Sequence, residues 1–111
     1  MDTSTAVINL AALAQESRLQ IFRLLVQSGP DGLCVTDIGE QMGIAAATLS
    51  FHLKELNRAG LITARKESRH IYYAPDFAAM NSLITFLTEN CCGGVPCNTG
   101  CAPPPKKRKA K

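Results

Sequence analysis

Residues 35–73 read VTDIGEQMGIAAATLSFHLKELNRAGLITARKESRHIYY, and three breaks in the pattern of that run decide the fold. Val35 to Met42 opens with Thr36 and Asp37, residue types suited to a helix N-terminus, and stops at Gly43. Ala45 to Ala59 then places Leu49, Leu53 and Leu56 at i, i+4 and i+7, a stripe for burial. It ends at Gly60, the residue best able to take a left-handed cap. The opposite side of this longer helix carries Thr48, Phe51, Lys54, Glu55 and Arg58. Beyond Gly60 the chain turns β-prone: Leu61 to Arg65 and Arg69 to Tyr73 flank a turn at Lys66-Glu67-Ser68. Short helix, tight turn, longer helix and basic hairpin form, in that order, a winged helix-turn-helix, whose second helix can lie in a major groove. A helix pair alone is common, and a charged hairpin alone is an ordinary solvated face. Their adjacency carries the reading.

The flanks supply the rest of a small helical domain. Thr5 to Gln15 contains Val7, Ile8, Leu10, Ala11, Leu13 and Ala14, a helix with one broad apolar side. Ser17 to Gln27 follows, with Ser17 as its cap and Leu19, Ile21, Phe22, Leu24, Leu25 and Val26 as a wide apolar face. Ser28-Gly29-Pro30-Asp31-Gly32 is a stop and turn. Pro75-Asp76 opens a last helix, Asp76 to Asn90, with Phe77, Met80, Ile84 and Leu87 on one stripe and Leu83 and Phe86 widening it. After Asn90 come Gly93-Gly94, Pro96, Gly100 and Pro103-Pro104-Pro105, a composition that suits loop rather than a packed element. The expected fold is mainly helical with a two-stranded β wing, in the order helix-helix-helix-helix-strand-strand-helix. Residues 1–90 form the folded domain, and 91–111 a cysteine-rich segment with a basic tail.

Composition narrows the function classes. A chain of 111 residues with 46% apolar content is sized for one domain with a modest core. Its most apolar stretches, Ala6–Ala14 and Leu83–Leu87, are too short to cross a bilayer. Met1-Asp2-Thr3-Ser4 lacks the basic start of a secretory signal, so a cytoplasmic protein is expected. The net charge of +3 hides a division: five of the twelve basic residues lie at positions 106–111, and residues 1–105 have seven basic against nine acidic residues. Within that mildly acidic body, Lys54, Arg58, Arg65, Lys66 and Arg69 crowd together, opposed only by Glu55 and Glu67. Such a local cationic window is the footprint of a polyanion partner, here double-stranded DNA. Thr48 and Ser50 offer hydroxyls to base edges, and Phe51 suits a thymine methyl. Lys54 and Arg58 lie where phosphates pass. Arg65, Lys66 and Arg69, with His70, give the hairpin phosphate or minor-groove contacts that fix register. Ala47 and His52 complete the candidate DNA-facing set, His52 being equally readable as a packing residue.

Leu33-Cys34-Val35-Thr36-Asp37-Ile38, the run Ser50-Phe51-His52-Leu53-Lys54-Glu55-Leu56, Ala59-Gly60-Leu61-Ile62 and the Arg69–Tyr73 hairpin together resemble the ArsR/SmtB metal-sensing repressors, over residues 7 to 90. The resemblance implies five helices with a two-stranded wing, a homodimer through the first and last helices, and repression released by a metal or metalloid. Ser68 stands where a wing-tip glycine is common. A family inducer site on the helix before recognition uses a Cys-Val-Cys-Asp pattern; here Cys34 is present but Thr36 fills the second place, leaving Cys34 as a small core residue. A zinc site on the last helix needs Asp and His, and residues 76–90 contain no histidine.

What remains is Cys91-Cys92-Gly-Gly-Val-Pro-Cys97-Asn-Thr-Gly-Cys101, four of the five cysteines in eleven residues. Clustered thiols in a cytosolic chain point to metal, metalloid or redox chemistry rather than a disulfide framework. An adjacent pair fits a Cys-x2-x4-Cys zinc knuckle poorly. Trivalent arsenic or antimony, bound by three thiolates in a pyramid, suits a vicinal pair plus Cys97, with Cys101 as substitute. The arsenic-responsive subgroup with a C-terminal vicinal pair resembles this most. The expected function is an As(III)/Sb(III)-responsive repressor, needing no cofactor for DNA binding, with Cys91, Cys92 and Cys97 as ligands. The alternatives are a regulator of the same fold answering thiol oxidation or another soft metal ion, a DNA-architectural protein, and a thiol enzyme. No cysteine has an arginine six positions on, so the Cys-x5-Arg phosphate cradle of an arsenate reductase is missing and an enzyme is not expected. Pro-Lys-Lys-Arg-Lys at 105–109 resembles a nuclear localisation signal, but in a chain with this family likeness a nonspecific DNA-affinity tail is the better reading.

Overall fold

Local chemistry sets each helix end. A computed structural model describes residues 1–90 and residue 93. Helix α1 (Thr3–Leu13) is capped by Asp2, whose Oδ1 accepts from the Thr5 amide at 2.8 Å. Hydrogen bonding from Thr5 holds the Asp2 carboxyl below the ordinary carboxylate range. Helix α2 (Glu16–Ser28) begins one step earlier than the Ser17 cap expected from sequence. Gln15 caps it instead, its Oε1 accepting from the Arg18 amide at 2.9 Å. Arg18 in turn donates from Nε to the Ala12 carbonyl at 2.7 Å, closing the α1–α2 corner.

Helix α3 (Val35–Met42) has the bounds read from sequence and ends on Gly43, left-handed at φ 66°. Helix α4 (Ala46–Arg58) follows within one turn, and Gly60, φ 81°, redirects the chain into the hairpin. Strands β2 (Ile62–Glu67) and β3 (His70–Pro75), preceded in the chain by a short β1 (Leu33–Cys34), pair antiparallel from Ile62↔Pro75 to Glu67↔His70. The turn is therefore the two residues Ser68-Arg69, tighter than expected, with Ser68 at φ 57°. Helix α5 (Phe77–Thr88) is shorter than the stretch Asp76–Asn90, because Asp76 is its cap: Oδ1 accepts from the Ala79 amide at 3.0 Å.

The expected two-stranded wing is in fact part of a three-stranded sheet, order β1-β3-β2. Strand β1 is only Leu33–Cys34, paired antiparallel with β3 as Leu33↔Tyr73 and Cys34↔Tyr72. Two residues give no hydrophobic period, which is why the strand is silent in the sequence. Its consequence is mechanical: the loop before α3 is stitched to the wing. Cys34 accordingly is not a core residue. It is half-buried at the N-cap of α3, and its thiol donates to Asp37 Oδ2 at 3.3 Å.

One core holds these parts. Ile21, Phe22 and Leu25 of α2 meet Ile38 of α3, Leu49, Leu53 and Leu56 of α4, and Leu61 and Ile62 at the start of the hairpin. The leucine stripe of α4 is fully inward, each residue contributing about 1.5–3 kcal/mol by its burial. Helices α1 and α5 use that core sparingly. α1 fully buries only Ala6 and Asn9, and α5 only Leu83, with Ala12, Leu13 and Met80 half-buried against the core, while Val7, Ile8 and Leu10 of α1 and Ile84 and Leu87 of α5 stay exposed. Among the described residues no helix is long and apolar enough to cross a membrane.

Candidate nucleic-acid interface

Burying Leu49, Leu53 and Leu56 fixes what α4 can present. Ala47, Thr48, Ser50, Phe51, Lys54 and Arg58 are all exposed on the same helix, Phe51 at 55% despite its apolar ring. An exposed phenylalanine beside two hydroxyls is the mixture a major-groove surface uses, apolar contact for a methyl and small polar groups for base edges. His52 differs from its neighbours. It is 7% exposed, and its Nδ1 has no hydrogen-bond partner among the described residues. Its ring therefore packs inside, off the outward face. Arg58 is held by Glu55 one turn back, with Nη2 at 2.6 Å from Oε2, so its charge is partly answered within the helix. Lys54 has no ion-pair partner among the described residues.

The wing is divided by the strand alternation. One face carries Arg65, Glu67, His70 and Tyr72, since Arg65 pairs with Tyr72 and Glu67 with His70. The other carries Ala64, Lys66 and Ile71 toward the tip, with Ile62, Tyr73 and Leu33 against the core at its base. Lys66 and Arg69 are exposed at the tip. Arg65 is engaged on three sides. Its Nε donates to Glu67 Oε2 at 2.8 Å, its Nη2 donates to the Asp31 carbonyl at 3.1 Å, and its guanidinium lies 5.2 Å from the Tyr72 ring centre. Nothing in the spacing of residues signals the Asp31 and Tyr72 partners. Only Glu67, two residues along the strand on the same face, has a local signature.

Among the described residues no group of three or more His, Cys, Asp or Glu side chains is placed to hold a metal ion. The expected ligands Cys91, Cys92 and Cys97, and the substitute Cys101, lie outside the described residues.

A recognition helix with an outward polar face, set beside a basic β-hairpin on one core, defines a winged helix-turn-helix DNA-binding regulator. Comparison with known proteins places it more narrowly. A model of a helix-turn-helix domain matches residues 13–65. The transcriptional activator HlyU of Vibrio cholerae is 31% identical over 91 residues, 82% of each chain. An HlyU structure from that organism superposes with a TM-score of 0.65 at 32% identity, covering 83% of this chain and 99% of that one. The arsenical resistance operon repressor of Bacillus subtilis is 37% identical over 81 residues, 73% of each chain. The homodimeric winged helix-turn-helix domain of a possible ArsR-family regulator from Mycobacterium bovis superposes with a TM-score of 0.62 at 29% identity, over 84% of this chain and 86% of that one. This chain belongs to the ArsR/SmtB family of winged helix-turn-helix transcriptional regulators. These relatives are transcriptional regulators.

Proposed function

We propose that the chain is a dimeric repressor released from its operator when As(III) or Sb(III) binds C-terminal thiolates. The observation that carries the inducer class is the run of four cysteines in residues 91–101, starting three residues after α5 ends at Thr88. A vicinal thiol pair with a third thiol five residues on supplies the three soft donors that a pyramidal trivalent metalloid takes. Cys91, Cys92 and Cys97 are the proposed ligands, with Cys101 able to replace Cys97. Cys34 has no second thiol on its helix and takes no part.

DNA is met by two surfaces. Thr48, Ser50 and Phe51, with Ala47 beside them, face base edges from the N-terminal half of α4, while Lys54 and Arg58 meet phosphates. Lys66 and Arg69 hold the backbone from the wing. The unshared apolar faces of α1 and α5 suit a second copy of the chain, and the Mycobacterium domain is itself homodimeric. Two recognition helices then sit about one DNA turn, roughly 34 Å, apart. Because the inducer and DNA favour different dimer arrangements, each must weaken the other's binding by the same factor.

A second reading keeps the fold and replaces the inducer: oxidation of the Cys91–Cys92 region, or another soft ion, triggers release. Titrating the reduced protein on its own promoter DNA with As(III), Sb(III), Zn(II), Cd(II) and Cu(I), and separately with an oxidant, distinguishes the two. Release by As(III) under reducing conditions supports the first. Release by oxidant alone, reversed by thiol reductant and indifferent to metalloid, supports the second.

A further inference from the structure

Arg65 and Lys66 are neighbours in the cationic window, yet the register puts their side chains on opposite faces of the sheet. One flat run of phosphates cannot meet both in the same way. Arg65 also differs from Lys66 and Arg69 in being occupied. Its guanidinium starts on β2, passes over the Tyr72 ring of β3 at 5.2 Å, and donates to the Asp31 carbonyl in the loop before β1 at 3.1 Å. A third partner, Glu67, fixes Nε from the side at 2.8 Å. A single exposed ion pair such as Arg65–Glu67 orders little. The span from β2 over β3 to the loop before β1 is another matter, because a planar fork over an aromatic ring with a carbonyl at its end has one geometry.

The same loop is docked from below. Gly32, next to Asp31, approaches β3 so closely that a Cβ on it would stand 2.5 Å from the Tyr73 carbonyl oxygen. Cys34 then pairs with Tyr72, the residue under the guanidinium. The helix-turn-helix begins at Val35, immediately after this strand. Loop, sheet and Arg65 thus form one joint between the wing and the recognition unit.

We infer that Arg65 is a positioning residue that sets the wing's angle to α4, so that Lys66 and Arg69 reach DNA, and is not itself a phosphate contact. This rests on the reading above in which Lys66 and Arg69 meet phosphates, and that reading is tested first by Lys66→Ala/Arg69→Ala alone. This double variant weakens operator binding and lowers the salt slope, by about 0.9 for each phosphate lost. If it does neither, the wing is outside the interface and the inference falls with that reading.

The decisive comparison is Arg65→Ala in two backgrounds. In the wild-type wing it weakens operator binding on the order of tenfold, the scale of one or two charge-assisted hydrogen bonds. In the Lys66→Ala/Arg69→Ala background it changes neither affinity nor salt slope, because there is no wing contact left to position. Arg65→Lys keeps the charge without the fork and behaves as Arg65→Ala. If Arg65→Ala costs the same factor in both backgrounds with a further drop in slope, or has no effect in the wild-type wing, or if lysine restores binding, the inference is overturned. Should Arg65→Ala fail to fold, Tyr72→Leu removes the ring beneath the guanidinium and keeps the charge. It must show the same dependence on Lys66 and Arg69, and an equal loss in both backgrounds overturns the inference as well.

Discussion

At Gly32 the backbone takes φ 81° and passes within reach of the Tyr73 carbonyl, so two independent constraints select a residue without a Cβ. Gly32→Ala meets both, and its cost is about 1–3 kcal/mol of stability, with a fall in melting temperature of several degrees for a domain of this size. An unchanged thermal transition would mean that the loop does not dock on β3 as described. Ser68 is the opposite case. It holds φ 57° at the tip of the hairpin with a side chain that disfavours it. Ser68→Gly therefore stabilises by up to about 1 kcal/mol, less whatever the added freedom of the unfolded chain takes back, and is read as a higher urea midpoint at constant m-value. A lower midpoint would contradict the strain. The two positions also mark the limits of reading residues from sequence. Ser68 stands out against the common glycine of the family. Gly32 looks like one more residue in a Gly-Pro-Asp-Gly turn, and its close approach depends on a strand forty residues away. Arg65 is hidden for the same reason: its partners at Asp31 and Tyr72 are joined to it by the sheet, not by spacing.

Elements with a period were legible, and elements without one were not. The i, i+4, i+7 leucines of α4 and the glycine stops at positions 43 and 60 fix the recognition unit to within a residue or so. Strand β1, two residues long, has no period and was missed. On α5 the run Phe77, Met80, Leu83, Ile84, Phe86 and Leu87 holds more apolar surface than a domain of this size can bury, so a partner-facing surplus was legible there; for α1 the apolar content was legible but its direction was not. A broad apolar helix reads as core, whereas here the inner positions of α1 go to the small Ala6 and the polar Asn9, and the bulk faces outward. Ile84 and Leu87, 52% and 58% exposed, extend that outward surface on α5. A patch of this kind on a folded domain marks a partner surface. Replacing Ile84 and Leu87 with Lys places two charges in each copy of the proposed interface. The expected outcome is a folded protein that sediments as a monomer at micromolar concentration, where the parent chain sediments as a dimer. Operator affinity then falls with dimer concentration. A parent chain that is monomeric at the same concentration would contradict the assignment of these faces.

In the whole molecule, the proposed soft-thiol site beyond α5 governs a DNA surface built on α4 and the wing. The folded domain offers no rival among the described residues: Cys34 is engaged with Asp37, and His52 is buried with a single unmatched nitrogen. Cys34→Ser should bind operator and respond to As(III) as the parent does, since the thiol at the α3 cap has no second sulfur to share an ion. Cys91→Ser and Cys92→Ser should each keep operator affinity, because neither residue belongs to the DNA-facing set, and lose release by the metalloid. Cys97→Ser loses it too, unless Cys101 substitutes and only the Cys97/Cys101 double variant fails. The direct measurement is fluorescence anisotropy of labelled promoter DNA held by the reduced dimer, titrated with As(III) for the parent chain and for Cys91→Ser/Cys92→Ser. Full release from the parent with none from the double variant, at equal starting affinity, is the expected result. Release from the double variant at the parent's As(III) concentration would contradict it, and would remove the C-terminal cysteines as the sensor.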